Sequence, residues 1–270
     1  LTAFWRPPGL RTRRLVLTIH DMIPERLGET YAGIKGTHYG KVKLAAKAAA
    51  IVTPSETVRE DVIEMLGVAE DRVFAVPHGR PQPLNPMPGT WFEAESGRYA
   101  LIVGRRGHYK NFLGVLPGIG PVLAKAGMTL VCAGGGPFTA AEREGLLASG
   151  LTQRVRQIGL APAEMVAAYR HAFCTIVPGK AEGFGFPVLE SMSNGTPVLA
   201  SDIPAKREIA ADAALWCDPD SADSWGAALQ RLIDDSALRA RLVTAGLERA
   251  QLFSWDRTAR RMAAIYRAVV

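Results

Sequence analysis

Cysteine is scarce in this sequence. There are three in 270 residues, Cys132, Cys174 and Cys217, each alone inside an apolar run. That isolation argues against a disulfide framework and a thiolate metal site, and it reads as reduced core residues of a cytosolic protein. Long apolar runs are missing too, and no stretch has the length and purity of a transmembrane helix. The first residues, Leu1 to Arg14, are basic, contain Pro7-Pro8 and lack the apolar centre of a secretory signal. An initiating methionine is also lacking, and a strand pattern begins almost at once. The expectation is a fragment or a truncated N-terminus.

What is present is ordinary for a globular protein with a good core. The apolar share is 48%, and the length suits one large or two ordinary domains. The net charge of +6 fits a phosphate-bearing substrate, a peripheral contact with anionic lipid, or plain solubility. Nucleic-acid binding has only this mild basicity in its favour and is not expected.

Short β-prone runs alternate with helical patterns along the chain. Strands are expected at Arg14–Ile19, Ala50–Thr53, Arg72–Val76, Tyr99–Gly104, Met128–Ala133, Val155–Ile158, Phe173–Val177, Pro197–Ala200 and Ala213–Cys217. Ser55 is placed to cap a helix that Gly67 stops. Residues 39 to 49 read as a helix bearing Lys41, Lys43 and Lys47, most simply a solvated face. Residues 80 to 90, with Pro81, Pro83, Pro86 and Pro88, form the clearest linker. This alternation predicts doubly wound parallel sheets, whose loops after strand ends gather at one edge.

Several candidate functional residues fall on such loops. His20 follows the first strand, where open α/β sheets bind ligands. Arg105 and Lys110 lie in a basic loop between a strand and a helix, a pattern that suits phosphate. That loop matches neither the Walker pattern nor G-x-G-x-x-G, which speaks against a dehydrogenase. Gly134-Gly135-Gly136 ends the next strand. The stretch Glu182-Gly183-Phe184-Gly185-Phe186-Pro187-Val188-Leu189-Glu190 puts two carboxylates around a glycine turn and a helix start. Pro187 suits the first helical turn, and Gly183 and Gly185 permit close backbone approach to a ligand. Glu182 then lies on the loop and Glu190 about one turn into the helix. Free N–H groups there would face an anion, with carboxylates for hydroxyls on either side, as in a sugar-nucleotide site. The competing local readings are an exposed, solvated Glu190 and a salt bridge from Arg105 to Asp202. Asp218-Pro219-Asp220 mimics a metal-binding D-x-D but reads as a turn and N-cap.

Taken together, these motifs resemble glycosyltransferase family 4, the retaining nucleotide-sugar transferases of glycosyl transferases group 1. Carrying the resemblance are the Glu182 to Glu190 E-x7-E stretch, Gly195-Thr196-Pro197-Val198-Leu199-Ala200-Ser201-Asp202, Glu208 with Asp212-Ala213-Ala214, Val103-Gly104-Arg105 with Lys110-Asn111, and Gly134-Gly135-Gly136-Pro137. His20-Asp21 and Val52 to Ser55 resemble elements of the family's N-terminal domain, less strongly. The resemblance implies an α/β fold of GT-B type: two Rossmann-like parallel-sheet domains facing a cleft, the N-terminal one incomplete. The implied division is 1–88 as a partial acceptor-side domain, 89–253 as the nucleotide-sugar domain, and 254–270 as a helix crossing back, with Trp255 and Tyr266 as packing anchors.

The family's roles, carried over, give His20, Glu182, Arg105 and Lys110 as catalytic residues. Donor binding would use Gly104, Arg105, Lys110, Gly135, Glu182, Gly183, Phe184, Gly185, Phe186 and Glu190. Arg105 and Lys110 would neutralise the diphosphate, Glu182 would hold sugar hydroxyls and Glu190 the ribose hydroxyls. The resemblance implies transfer of a mannose- or glucose-type hexose from a GDP- or UDP-linked donor to a glycan or lipid-linked acceptor in polysaccharide biosynthesis. It implies no cofactor and no required metal, and a cytoplasmic site of action with contact to the inner membrane face left open. Pro178-Gly179-Lys180-Ala181 departs from the family, which usually has proline-serine and an aromatic there. The other classes weighed are a non-catalytic nucleotide-sugar module and a GT-B sugar-nucleotide epimerase. A phosphorylase lacks its pyridoxal-phosphate lysine motif.

Overall fold

Parallel strands need a crossover between them, and this chain supplies a helix at almost every one. The computed structural model describes residues 14–28, 34–81, 85 and 90–269. The prolines at 83, 86 and 88 of the expected linker lie outside the described residues. Two compact units result: Leu1–Gly79 with Glu182–Gly185 and Phe253–Val270, and Arg80–Ala181 with Phe186–Leu252.

The first unit opens with β1 (Val16–Thr18), α1 (Ile23–Leu27), α2 (Ile34–Lys47), β2 (Ala50–Thr53), α3 (Glu56–Leu66) and β3 (Val73–Ala75). Its sheet is parallel in the order β1-β2-β3, with Leu17 beside Ile51 and Ile51 beside Val73. These three are fully or nearly fully buried with Ile19, Val58 and Val62. Ser55 caps α3 by accepting from the Val58 N–H at 3.2 Å, and Gly67 closes it in the left-handed conformation.

Helix α2 is displaced from the expected span of 39–49. It starts at Ile34 and stops at Lys47, although Ala48 and Ala49 are good helix formers. Instead, the Ala49 N–H donates to the Leu15 carbonyl at 2.8 Å, so sheet pairing captures the backbone before helix propensity can extend it. The solvated-face reading also needs correction. Lys43 and Lys47 are exposed, but Lys41 is buried and donates to the Asp21 carbonyl at 2.8 Å and to Glu25 Oε2 at 2.9 Å.

The second unit contains α4 (Trp91–Ala94), β4 (Tyr99–Val103), α5 (Phe112–Lys125), β5 (Thr129–Ala133), α6 (Ala140–Ala148), β6 (Val155–Ile158) and α7 (Pro162–Arg170). It continues with β7 (Cys174–Val177), α8 (Phe186–Ser193), β8 (Val198–Ser201), α9 (Pro204–Ala210), β9 (Leu215–Cys217), α10 (Ala222–Asp234) and α11 (Ser236–Ala250). Its six parallel strands run in the order β6-β5-β4-β7-β8-β9. The winding reverses between β4 and β7, and open α/β sheets bind ligands outside the strand ends at such a switch point. Strands β7 and β8 are buried at every residue, as sheets covered on both faces require. One face packs Leu116, Ile119, Leu130 and Trp225; the other packs Tyr99, Leu101, Val131 and Tyr169. Cys132, Cys174 and Cys217 are free and buried on β5, β7 and β9, and burial pushes each thiol up to about 12.

The chain then adds α12 (Trp255–Val269) to the first unit. Met262, Ile265 and Val269 pack on Ala50, Val52 and Val76, a face set by their three- and four-residue spacing. Tyr266, expected as an anchor, lies off that stripe and is 46% exposed. Trp255 sits with its ring 5.7 Å from that of His78.

Candidate functional site

The loop after β4 carries two consecutive arginines with different fates. Arg105 is exposed and Arg106 is buried. The Arg106 guanidinium donates to Glu142 Oε1 at 3.0 Å, to the Gly134 carbonyl at 2.9 Å and to the Gly136 carbonyl at 2.7 Å. Gly134, Gly135 and Gly136 all have left-handed backbone, with φ of 83, 74 and 72°. Three such residues in a row demand glycine. A Cβ on Gly135 would also lie 2.6 Å from Arg106 Nη1 and 2.8 Å from the Gly104 carbonyl. Glu142 closes a capping box with Thr139 at the start of α6. Burial pushes the Glu142 carboxyl up, but the Thr139 N–H and Arg106 outweigh it and hold the pKa below its usual value.

Beside these loops lies a cleft of about 370 Å³, lined by Arg105, His108, Asn111, Gly135 and Thr139 among others. Asn111, in left-handed backbone, anchors the basic loop by donating from Nδ2 to the Pro219 carbonyl at 2.8 Å. Lys110 is half-buried, with Nζ 5.1 Å from the Tyr109 ring centroid. Asp202 is gripped by Arg207 at 2.5 and 2.7 Å, so the alternative Arg105–Asp202 bridge is replaced by a local pair.

The loop after β7 meets the loop after β4 where the Lys180 N–H donates to the Tyr109 carbonyl at 2.7 Å. Thus the two loops flanking the switch point touch. Below them, Lys206 is fully buried and donates to the carbonyls of Val177 at 2.6 Å and Gly179 at 2.7 Å. The Lys180 ammonium pairs with Asp220. Asp220 in turn donates its N–H to Asp218 Oδ1 at 2.9 Å, and Ser221 caps α10, so Asp218-Pro219-Asp220 is a turn.

Glu190 lies one turn into α8, as expected, but it is half-buried and not a solvated face. Its Oε2 accepts a hydrogen bond of 2.6 Å from the Tyr169 hydroxyl. Burial pushes the Glu190 carboxyl up, and the tyrosine bond opposes this in part.

In the first unit, His20, Gly183 and Phe184 come together. A Cβ on Gly183 would lie 2.1 Å from the His20 carbonyl oxygen. The Ser55 hydroxyl donates to the Gly183 carbonyl at 2.7 Å. Gly183 was expected to let a ligand approach; what approaches is the chain's own His20 loop. The His20 ring stacks on His78 at 5.8 Å and 22°, and His78 meets Phe184 edge-on at 5.1 Å. Burial lowers the pKa of His20, offset in part by Asp21. Burial, then His20, lowers His78 to about 4. Both rings are therefore neutral at pH 7. Gly185 has φ of 102° and is buried, and Glu182 is half-buried; Phe186, which opens α8 in the second unit, is 40% exposed.

Sequence reasoning missed Arg106, Tyr169, Lys206 and His78. His78 alone carried a usable signal, because it lies three residues past the end of β3, in Pro77-His78-Gly79.

A switch-point site on parallel sheets defines the class, and solved structures agree. Sucrose-phosphate synthase from Thermosynechococcus elongatus superposes with a TM-score of 0.74 at 23% identity, over 94% of this chain and 67% of that one. HepE of Anabaena, solved with UDP and glucose, gives 0.80 at 18% identity over 94% and 71%. The fold is that of the GT-B glycosyltransferases. The pattern of the family described as glycosyl transferases group 1 matches residues 89–249. The chain belongs to that family of glycosyltransferases. O-antigen chain mannosyltransferase B of Escherichia coli is 27% identical over 91% of this chain and 68% of its own length. D-inositol 3-phosphate glycosyltransferase of Acidothermus cellulolyticus is 30% identical over 84% of this chain, which spans 55% of that relative.

Proposed function

We propose that this chain carries a retaining hexosyltransferase, which moves a mannose- or glucose-type sugar from a GDP- or UDP-linked donor to a glycan or lipid-linked acceptor in polysaccharide biosynthesis. The observation that carries this is what the two loops at the switch point hold: exposed Arg105, lining a cleft with Gly135 after β4, and Glu190, held by Tyr169 on the first turns of α8. In this reading Arg105, Lys110 and the N–H groups at Gly185 and Phe186 receive the diphosphate. They stabilise the charge that develops on it as the bond from the anomeric carbon to phosphate oxygen breaks. Glu190 takes the ribose hydroxyls. Glu182 and neutral His20 hold the sugar, so that the acceptor oxygen bonds to the same face. The acceptor's proton passes to the departing phosphate oxygen, which balances the step without an enzymic nucleophile. Charge neutralisation rests on side chains and helix dipole in this reading, with no role for a cofactor or a metal.

The mannosyltransferase relative supports a mannose-type sugar, and HepE, solved with UDP and glucose, supports a UDP-linked glucose-type donor as the alternative. Among the described residues no helix is long and apolar enough to cross a membrane. We place the reaction in the cytoplasm, with exposed Lys43 and Lys47 on α2 available to the anionic inner membrane face.

Glu190→Ala should weaken nucleoside diphosphate binding about tenfold or more, and Glu182→Ala should lower transfer more than binding. A thermal-shift panel of nucleoside diphosphates and nucleotide sugars, followed by a transfer assay, reads both effects. Unchanged behaviour of both variants overturns the site. Nucleotide binding without turnover, with any preceding chain supplied, turns the reading into a non-catalytic module.

A further inference from the structure

We propose that Tyr169 is a positioning residue for nucleotide recognition: its hydroxyl fixes Oε2 of Glu190 so that Oε1 is presented to the ribose hydroxyls. The proposal rests on the reading of Glu190 as the ribose ligand and adds the residue that makes that ligand work.

Tyr169 lies in the last turn of α7 and is 1% exposed, clustered with Phe92, Tyr99, Leu101 and Val131. A phenol buried this deeply needs a partner for its O–H. It has one, Glu190 Oε2 at 2.6 Å, the length of a hydrogen bond to an ionised carboxylate. The contact joins residues 21 positions apart, on two helices.

Both ends of this bond are pinned. The Tyr169 carbonyl accepts from the Thr196 hydroxyl at 2.6 Å, and the Thr196 carbonyl accepts from the Ser191 hydroxyl at 3.0 Å. Ser191 adjoins Glu190 in α8, and its Oγ also lies 2.8 Å from the Thr175 hydroxyl on β7, from which it accepts. A closed circuit of Tyr169, Thr196, Ser191 and Glu190 therefore leaves the glutamate little freedom to rotate away. A ligand-binding carboxylate locked before the ligand arrives loses less entropy on binding.

Among the described residues, the basic side chains on the elements around α8 are engaged elsewhere or exposed. Lys206 on α9 is committed to the Val177 and Gly179 carbonyls, and Arg207 to Asp202. Arg249 on α11 donates to the carbonyls of Glu208 and Ile209. Arg239 on α11 lies over the Phe173 ring, Arg241 and Glu248 are exposed, and Glu164 on α7 binds the Ala161 N–H. Arg170 on α7 is exposed. Tyr169 is accordingly the partner that aims this partly desolvated carboxylate and favours its ionised form. Burial raises the Glu190 pKa and the tyrosine bond lowers it, so removing the hydroxyl moves it further up.

The test is Tyr169→Phe, which keeps the ring. Calorimetric binding of GDP and UDP is compared with their 2′-deoxy and 3′-deoxy counterparts between pH 5 and 8, after circular dichroism has confirmed the fold. We expect ribonucleotide binding to weaken about tenfold and the ribo-to-deoxy preference to collapse. The acid limb of the binding curve should move to higher pH. A merely structural tyrosine would leave the preference and the limb in place, and that result overturns the proposal, provided Glu190→Gln does lower the preference. If Glu190→Gln leaves the preference intact, the ribose reading itself falls, and the proposal with it. Should Tyr169→Phe not fold, tyrosine ring NMR on the unsubstituted chain serves instead. The tyrosine resonance moved by Glu190→Gln must also move when GDP or UDP is added, and its indifference to both overturns the proposal.

Discussion

In the second unit the site loops are braced by charge. Arg106 and Glu142 hold the glycine turn, and Lys206 holds the carbonyls at the end of β7. In the first unit the loop around His20 takes one charged brace, Lys41 on the Asp21 carbonyl, and is otherwise held by shape. Gly183 lies against the His20 carbonyl, and His20, His78 and Phe184 pack ring against ring with both imidazoles neutral. The difference follows from what each loop presents. Glycine-rich turns expose carbonyl oxygens on their inner side, and only a donor can satisfy them there. Around His20 the carbonyls of Asp21 and Gly183 are met by Lys41 and the Ser55 hydroxyl, and the rings themselves are fixed by fit. Charge bracing is therefore intolerant of losing its donor, and ring bracing is intolerant of added atoms.

The sharpest way to break this comparison is Arg106→Met. It leaves the buried Glu142 without its cation and the part-buried carbonyls of Gly134, Gly136 and Pro137 without that donor, and should cost about 3–5 kcal/mol in urea unfolding of the second unit. Arg105→Met, one residue away, should change stability by less than about 0.5 kcal/mol and instead weaken nucleoside diphosphate binding. Equal losses from the two variants would erase the distinction between brace and ligand.

A smaller effect is expected from one added methyl in the ring-braced loop. Gly183→Ala puts a carbon where the His20 carbonyl stands, so the loop has to shift at a cost of about 1–3 kcal/mol. Transfer should fall more than nucleoside diphosphate affinity, because His20 moves and Glu190 does not. Parallel steady-state kinetics and calorimetry read the split.

The mildest probe is acid. The unfolded His78 takes up its proton near pH 6.5, whereas the folded ring resists until about pH 4. Between these values the unfolded chain binds more protons, so stability declines as pH falls through that window and is flat above it. The ring is partly exposed, and a Tm decrease of roughly 2–4 °C is expected, to be flattened by His78→Phe and followed by calorimetry. A decline that persists unchanged in the variant would mean that the neutral stack is not its source.

Local rules wrote much of this molecule in plain sight. The buried strands β4, β5, β7 and β8 read as apolar runs, and Ser55 and Gly67 mark the ends of α3. The triple glycine announced its turn, and Glu190 its place on the helix. Boundaries failed where pairing outbid propensity, as at Ala49, whose N–H belongs to Leu15 and the sheet. The face of α12 failed because Tyr266 looked like an anchor while Ile265, one residue away, points at the core.

The order of residues along the chain thus set the element types, the glycine turns and the presence of two carboxylates and two arginines near strand ends. These depend on a residue and its near neighbours, and so can be read in one dimension. Tertiary packing alone decided which arginine is the brace, that Lys41 and Lys206 turn inward, and that Tyr169 sets Glu190. Each of those choices pairs a buried polar group with a partner many positions away. Burial makes such pairing obligatory, and the partner's identity emerges only when the strands and helices have closed around it.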